Sequence, residues 1–585
     1  MSNRSSIYHR LNLYVLILCL IFTFNLPALA QSSAVTWGEL ASSIQRIFGT
    51  SAPIEDLYAR RNQSVSRLEA ARTILRAMHY HNLYSYVDIS ALPFPDTQRL
   101  NQEQKQVVAL ATTINPPLMT GDMIGNFRPA ETLSHREFAF LEDRLKIYAR
   151  GEVFWETRRP IDPGIELVIR KRGMEGGVPP QATPVPGQGV ILQAGAFADR
   201  ERAERVAQWL RELGYTPEVV AEGGLFKVRV GPYPSTEVPS VQERLSRQGF
   251  PSVIASRINA VPITPSARPV FTLALLVDPE QSPYRAEVAL ARDTIVEREY
   301  TSELLRRKGG LFAINAGFFT PDGTPIGLLM INRRILSEPF VGWFVCGITP
   351  DNELIFGEVK MDAEVILPNG ESYPITGINR RNRNEELILF DSTFGYKTPR
   401  QNGYESVIEG GRVIRTGKTT GETVIPRGGF VLQGQGAASE WMRRSLIPGT
   451  ALRLRMVLFP SGEDLGKWKQ TVHMVSGGPL LFRDGVPGPF GNFREEIVNQ
   501  RHPRTVVGLT RDGRHLYLVA DGRRPGHSAG LTIRELVEEL KRYDVIYALN
   551  LDGGGSSTFV LNGEVLNRPA DLTGERKIST AIILR

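Results

Sequence analysis

The sequence predicts a multidomain protein: an α-helical N-terminal module, a small α+β domain of βαββαβ order, and a large α+β domain around a mixed sheet. Three observations lead there. The chain has 585 residues, several times what one domain of roughly 100–200 residues needs. Two segments rich in proline and small residues, "GMEGGVPPQATPVPGQ" (173–188) and "INAVPITPSARPV" (258–270), carry no apolar period and read as linkers. Apolar residues recur at three and four before residue 150, whereas short β-branched runs broken by Gly, Asn, Asp and Pro turns dominate after 270.

The first thirty residues read as a removed secretory signal. Arg4 and Arg10 precede an apolar run from Leu13 to Phe24, followed by Ala28-Leu29-Ala30, the small-x-small pattern of a signal-peptidase site. The run falls short of the roughly 20 residues a membrane-spanning helix requires. No transmembrane span is expected in the mature chain, and the signal is expected to carry it out of the cytoplasm. With Cys19 in the signal, Cys346 is left without an internal partner and reads as a small buried apolar residue. Loss of Arg4 and Arg10 lowers the net charge from +7 to +5, a mild excess that suggests no nucleic-acid partner.

Residues 35–150 form the helical piece. In "VSRLEAARTILRAMHY", Leu68, Ala71, Ile74, Leu75 and Met78 share one face and Ser66 is placed to cap the helix. A related pattern returns as "GNFRPAETLSHREFAFLEDRL", where Gly125, Phe127 and Pro129 make a turn and Ser134, Arg136 and Glu137 open a helix. The region resembles the S-layer homology module, which implies attachment to cell-wall polymer. His79 and His81 lack a second cluster and are expected at a solvated helix end.

Residues 187–257 read as strand, helix, hairpin, helix and strand. Asp199 caps a helix with Ala203, Val206, Ala207, Leu210 and Leu213 on one face, ended by Gly214. Gln193, Gly195, Ala196 and Phe197, then Gly214-Tyr215, then Arg229-Val230-Gly231-Pro232-Tyr233, resemble the SPOR domain over its whole length. That resemblance implies a face bearing Gln193, Phe197 and Arg229 that binds peptidoglycan glycan strands.

Within 270–585, five segments combine a strand with a glycine turn holding polar residues: "AINAGFFTPDG", "VSGGPLL", "HPRTVVGLT", "VADGRRPGHSAGLT" and "LNLDGGGSST". Glycines there let backbone N–H groups approach a ligand. In this order, with "GINRRNRNEELILF" and "LNRPADLTGERKISTAIIL", the segments resemble the phosphodiester glycosidase family. The resemblance implies hydrolysis of a sugar-1-phosphodiester, here in an envelope polysaccharide. Its leaving group is a phosphomonoester with a second pKa of about 6, so little protonation is needed, and the usual two-carboxylate division of labour relaxes. Asp552 and Asp521 are the catalytic expectations, with Arg504 and Arg523 on the phosphate because a guanidinium bonds paired oxygens. Asn315, His527 and the Gly477-Gly478 backbone complete the expected pocket. Gly553, Gly554 and Gly555 offer N–H groups, Ser556 and Ser557 hydroxyls, and Phe318 or Phe319 a platform for the sugar.

Other readings stay open at this point. The chain could be a non-catalytic peptidoglycan-binding scaffold. Gly526-His527-Ser528-Ala529-Gly530 fits the G-x-S-x-G elbow of serine hydrolases, but Ser528 follows its strand by a long loop and no histidine lies downstream. "LDGGGSST" has no lysine for a P-loop. No cofactor is expected, although Asp552 with Asn550 or Asp521 could hold a divalent cation through oxygen ligands.

Overall fold

The structure is a computed structural model. It describes residues 34–174, 189–258 and 268–585, apart from positions 91, 214, 216, 223–224, 234–237, 248–252, 384, 462–463, 489, 491–492 and 494. The expected signal, Cys19 and most of both linkers lie outside the described residues. The chain divides into two compact units: one takes the described residues of Met1–Tyr148, Val153–Gly176 and Arg268–Arg585, the other those of Ala149–Glu152 and Gly177–Ala267.

The N-terminal region carries α1 (Trp37–Phe48), α2 (Arg67–Ala77), α3 (Gln102–Thr113) and α4 (His135–Ala149). Ser66 caps α2 and Glu69 reaches back to the cap, while Ser134 and Glu137 repeat the exchange at α4. Such a box satisfies two otherwise orphaned N–H groups. A third copy stands at α1, where Thr36 and Glu39 do the same; "TWGEL" hides it because a tryptophan replaces the basic residue. The three entries are laced together, Val35 N–H donating to Leu133, Leu133 to Val65 and Val65 to Val35, at 2.8–2.9 Å.

After α4 the chain forms the hairpin of β1 (Phe154–Asp162) and β2 (Ile165–Arg172), turned at Gly164 with φ +70°. The hairpin falls between the helical piece and the linker expected from the sequence, where no element is expected.

The second unit follows directly, with β3 (Gly189–Phe197), α5 (Arg200–Glu212), β4 (Pro217–Glu222), β5 (Leu225–Tyr233), α6 (Val238–Arg247) and β6 (Val253–Ile258), in the sheet order β4-β5-β3-β6. Ala203, Ala207 and Leu210 of α5 pack on Leu192, Val228 and Val230. Gln193 and Arg229 are opposed in register between β3 and β5. Arg229 pairs with Glu222, and Phe197 packs against the small core with Arg202 over its ring.

The first unit resumes with β7 (Val270–Val277), β8 (Ala286–Leu290), β9 (Phe312–Asn315), β10 (His473–Gly477), β11 (Leu480–Arg483), β12 (Val486–Pro487), β13 (Arg504–Thr510), β14 (His515–Ala520), α7 (Ile533–Leu540), β15 (Val545–Asn550), β16 (Phe559–Leu561), β17 (Glu564–Val565) and β18 (Thr580–Leu584). Its main sheet has the order β1-β2-β7-β14-β13-β15-β11-β12. Every pairing in it is antiparallel. The expected single mixed sheet is therefore replaced by several sheets, the largest antiparallel. Tight turns at Gly164, Gly485 and Gly513 require three of these pairings to be antiparallel, since a parallel neighbour needs a crossover of roughly a dozen residues or more.

β2 joins β7 along its whole length, from Ile165 opposite Val277 to Arg172 opposite Val270. Val168, Ala274, Leu276, Leu516, Leu518 and Ala548 form one core with Leu536 and Leu540 of α7. A second sheet, β17-β16-β9-β18-β8, stands beside it. The stretch between β9 and β10 folds into further sheets with their own core around Leu389, Leu432 and Trp441. There "GINRRNRNE" is structural: Arg380 is buried between Glu338 and Glu386. Cys346 is fully buried and burial pushes its thiol pKa up, as expected of an inert core cysteine. Among the described residues no helix is long and apolar enough to cross a membrane.

Candidate active site

Asp552 follows the end of β15, and its backbone is held from two sides. Its N–H donates to Ala316 O at 2.9 Å, and Asn315 Nδ2 donates to its carbonyl at 2.6 Å. Leu551 N–H reaches Thr505 O at 2.8 Å. The carboxyl group is half-buried, and burial pushes its pKa up to about 6 despite the Ser556 hydroxyl, the Gly553 N–H at 2.9 Å and the nearby Arg576 charge, which favour ionisation. No ion pair within 4.0 Å neutralises it among the described residues.

The three glycines following it have distinct jobs. A Cβ on Gly553 would lie 2.7 Å from Pro503 O. Gly554 has φ +65° and a Cβ there would meet the Arg523 guanidinium at 3.5 Å, while at Gly555 it would overlap the Arg576 guanidinium and the Asp571 carboxylate. Gly554 is thus set by its backbone conformation beside Arg523, while Gly555 leaves the space that Arg576 and Asp571 fill. Arg523 is exposed, has φ +56°, and donates from Nη2 to His502 Nδ1 at 2.8 Å. Burial, then Arg504 and Arg523, hold the His502 pKa below its usual value, which keeps the ring neutral and its Nδ1 an acceptor. Arg576 bonds Asp571 through both Nε and Nη2, at 2.8 and 2.9 Å.

Neither His502 nor Arg576 is among the residues expected from the sequence, although "HPRTVVGLT" and "LNRPADLTGERKISTAIIL" contain them. Only their spacing across the folded turn reveals them.

The other expected residues fall into place less directly. Asp521 directly follows β14, at the same end of the strands as Asp552, since Arg504 opposes Ala520 and Val506 opposes Asn550. Two strand spacings put the acids roughly 10 Å apart along the sheet. Its carboxylate, however, is 1% exposed and accepts from His527 Nε2 (2.7 Å), Asn567 Nδ2 (2.9 Å) and Arg568 N–H (2.9 Å). Both oxygens serve the protein interior, so the structure does not present Asp521 beside Asp552 as an open second acid. Burial holds the His527 pKa below its usual value, which its Asp521 partner opposes.

Arg504 is 3% exposed and donates to the carbonyls of Leu531, Ile497 and Gln500; burial and then Arg523 lower its pKa to about 10, which leaves it cationic. It supplies positive potential from beneath rather than an open fork. Asn315 is spent on positioning, its Oδ1 accepting from Thr505 Oγ1 and Thr558 N–H while its amide holds Asp552. Gly478 N–H donates to Asn550 O at 2.7 Å and a Cβ there would overlap the Phe493 ring, while Gly477 lies within β10. Gly554 N–H reaches Pro503 O, and the N–H groups of Ser556 and Ser557 close the glycine turn itself. Ser557 Oγ lies 3.2 Å from Thr505 Oγ1 in the interior.

Of the two expected platforms, Phe319 packs against the core of the second sheet. Phe318 instead meets Trp343 edge-on at 5.0 Å, and Trp343 in turn lies 6.0 Å from Phe493 and 5.2 Å from the exposed Phe340. Asn550 turns its amide to Gly478 O and Leu551 O. With Asp521 engaged as well, neither expected partner joins Asp552 in a cation site. Ser528, the alternative nucleophile, is fully buried; it donates to Asp521 O and accepts from Phe271 N–H, which excludes an elbow.

Comparison with known proteins finds two matching families. Residues 402–585 match the phosphodiester glycosidase family and residues 186–256 the SPOR domain. Two curated relatives are the N-acetylglucosamine-1-phosphodiester alpha-N-acetylglucosaminidases of Mus musculus, 44% identical over 81 residues, and Homo sapiens, 42% identical over 81 residues. In each case the match covers 14% of this chain and 15% of the relative. A crystal structure of a Burkholderia pseudomallei protein shares the fold with TM-score 0.51 and 21% identity, covering 74% of this chain and 96% of that one. The chain thus carries a SPOR domain and, over its C-terminal third, a region similar to the phosphodiester glycosidases.

Proposed function

We propose that the chain is a cell-wall-associated glycosidase that hydrolyses a sugar-1-phosphodiester in an envelope polysaccharide. Its SPOR domain holds it on peptidoglycan glycan strands, and loss of residues 1–30 delivers it to the periplasm or cell envelope. The observation carrying this reading is Asp552: a carboxyl whose pKa is raised to about 6, beside a turn that brings Arg523 and Arg576 together.

The chemistry follows from those groups. Arg523, with the positive potential of Arg504 and Arg576, receives the phosphate, and charge-assisted bonds from a planar guanidinium fix its orientation. The glycosidic bond breaks toward the phosphate, a good leaving group, so the anomeric centre gains positive charge before much bonding to water has formed. Asp552 is the carboxylate that stabilises this centre or takes a proton from the attacking water. A group with pKa about 6 does either near neutral pH. Phe318 with Trp343 offers an apolar face for the sugar ring.

The test is hydrolysis of a panel of sugar-1-phosphodiesters by the full chain from residue 31 onward. Release of free sugar by the native protein and its loss in Asp552→Asn supports the reading. Equal inactivity of both, with glycan-strand binding intact, would establish the scaffold instead.

A further inference from the structure

The N-terminal helical region grips the loops that carry the site arginines. Lys171 of β2 has 0% exposure; its ammonium donates to His79 O at 2.8 Å and Gly526 O at 3.0 Å, and lies 4.8 Å from the Tyr80 ring centre. Gly526 has φ +72°, and a Cβ on it would come within 2.5 Å of the His79 ring. A few residues on, the Tyr86 hydroxyl donates to Leu566 O at 2.6 Å and Asn82 Oδ1 accepts from Arg568 Nη1 at 3.1 Å. The Tyr86 ring rests on Phe271, which rests on His527, the partner of Asp521.

Residues 79–86 therefore touch both the 521–530 loop and the 566–568 segment. Arg524 ties the two loops to each other through Pro569 O and Asp571 O. Beyond these anchors the loops carry Arg523 on one side and the Asp571–Arg576 pair on the other.

A buried ammonium is costly unless its hydrogens find acceptors, and an apolar side chain of similar size would fill the space without that cost. What lysine adds is a fixed point for the Gly526 carbonyl. We propose that residues 79–86 and Lys171 are a positioning buttress: the helical region, whatever else it binds, sets the spacing of Arg523 and Arg576 around the glycine turn. The part of this that concerns phosphate rests on the reading above; the buttress itself does not.

Hydrogen–deuterium exchange on the full chain tests it in the variants Lys171→Met and Tyr86→Phe. Peptides covering 521–530 and 565–577 should exchange at least about tenfold faster than in the native protein, with the SPOR domain and the 402–460 region unchanged. On a cleavable diester, KM should rise about tenfold while kcat stays within about threefold. Native exchange in both loops of the folded variants overturns the proposal. If Lys171→Met does not fold, Tyr86→Phe and Asn82→Ala decide by the same measurement. A native protein that cleaves no diester refutes the phosphate reading alone, and the exchange rates still decide the buttress.

Discussion

Asp521 and Asp552 begin in matching surroundings. Each follows a strand of the same sheet, each precedes a glycine, and the start of β13 separates them. Yet Asp521 accepts three hydrogen bonds in a closed interior, whereas Asp552 has one backbone donor, a serine hydroxyl and a pKa of about 6. The difference comes from what returns to each turn. At Asp521 the chain brings back Asn567 and Arg568, and His527 folds over the carboxylate; at Asp552 the glycines keep side chains away and two guanidinium groups approach without pairing to it. Position along a strand offers an acid; the groups that return to it decide whether it is tied into the interior or left without an ion-pair partner.

The largest expected effect breaks that comparison most directly. Asp552→Asn should lower kcat/KM on a cleavable diester by roughly a thousandfold, read by initial rates. Asp521→Ala should instead cost about 3–5 kcal/mol of stability by leaving His527, Asn567 and a backbone N–H unpaired, read by denaturant unfolding. A folded Asp521→Ala with native stability and no activity would reverse the assignment.

How much of this was legible in the sequence depends on range. Local signals worked: Ser66 and Ser134 cap their helices, the βαββαβ order is present, and the glycine run marks the turn at Asp552. Signals spanning distant segments did not. Asn567 lies far along the chain from Asp521, Arg576 meets Gly555 only after folding, and nothing in β1 and β2 announces that they extend the sheet of β7. Arg504 misled because an arginine at a strand start reads the same whether it faces a phosphate or three carbonyls.

The arginines sharpen the comparison next. Arg523→Ala should raise KM about 10–100-fold, the value of one charge-assisted contact, with stability nearly unchanged because the side chain is exposed. Arg504→Ala should lower stability, since its buried contacts with three carbonyls would be lost.

A smaller effect concerns pH. The folded pKa of Asp552 stands at about 6, above the ordinary carboxylate value of 3.8, so the folded state holds its proton more tightly than the unfolded one. Stability from this group therefore falls as pH rises between those values. Asp552→Asn should gain about 1–3 kcal/mol above pH 6 and lose that gain below about pH 4, measured by unfolding across the range. A gain that persists in acid would mean that the carboxyl is not strained by burial.

The smallest effect tests whether the contrast is confined to the first unit. Replacing residues 175–267 with a short turn should leave kcat/KM on a soluble diester within about twofold, while retention on isolated sacculi is lost.

That excision is possible because the SPOR unit leaves and re-enters the chain at neighbouring rungs, Arg172 and Val270. The insertion therefore closes on itself: a backbone cut anywhere between residues 175 and 267 leaves the two parts of the first unit joined by the rungs between β2 and β7 and by the core that Val168 shares with Val270 and Ala274.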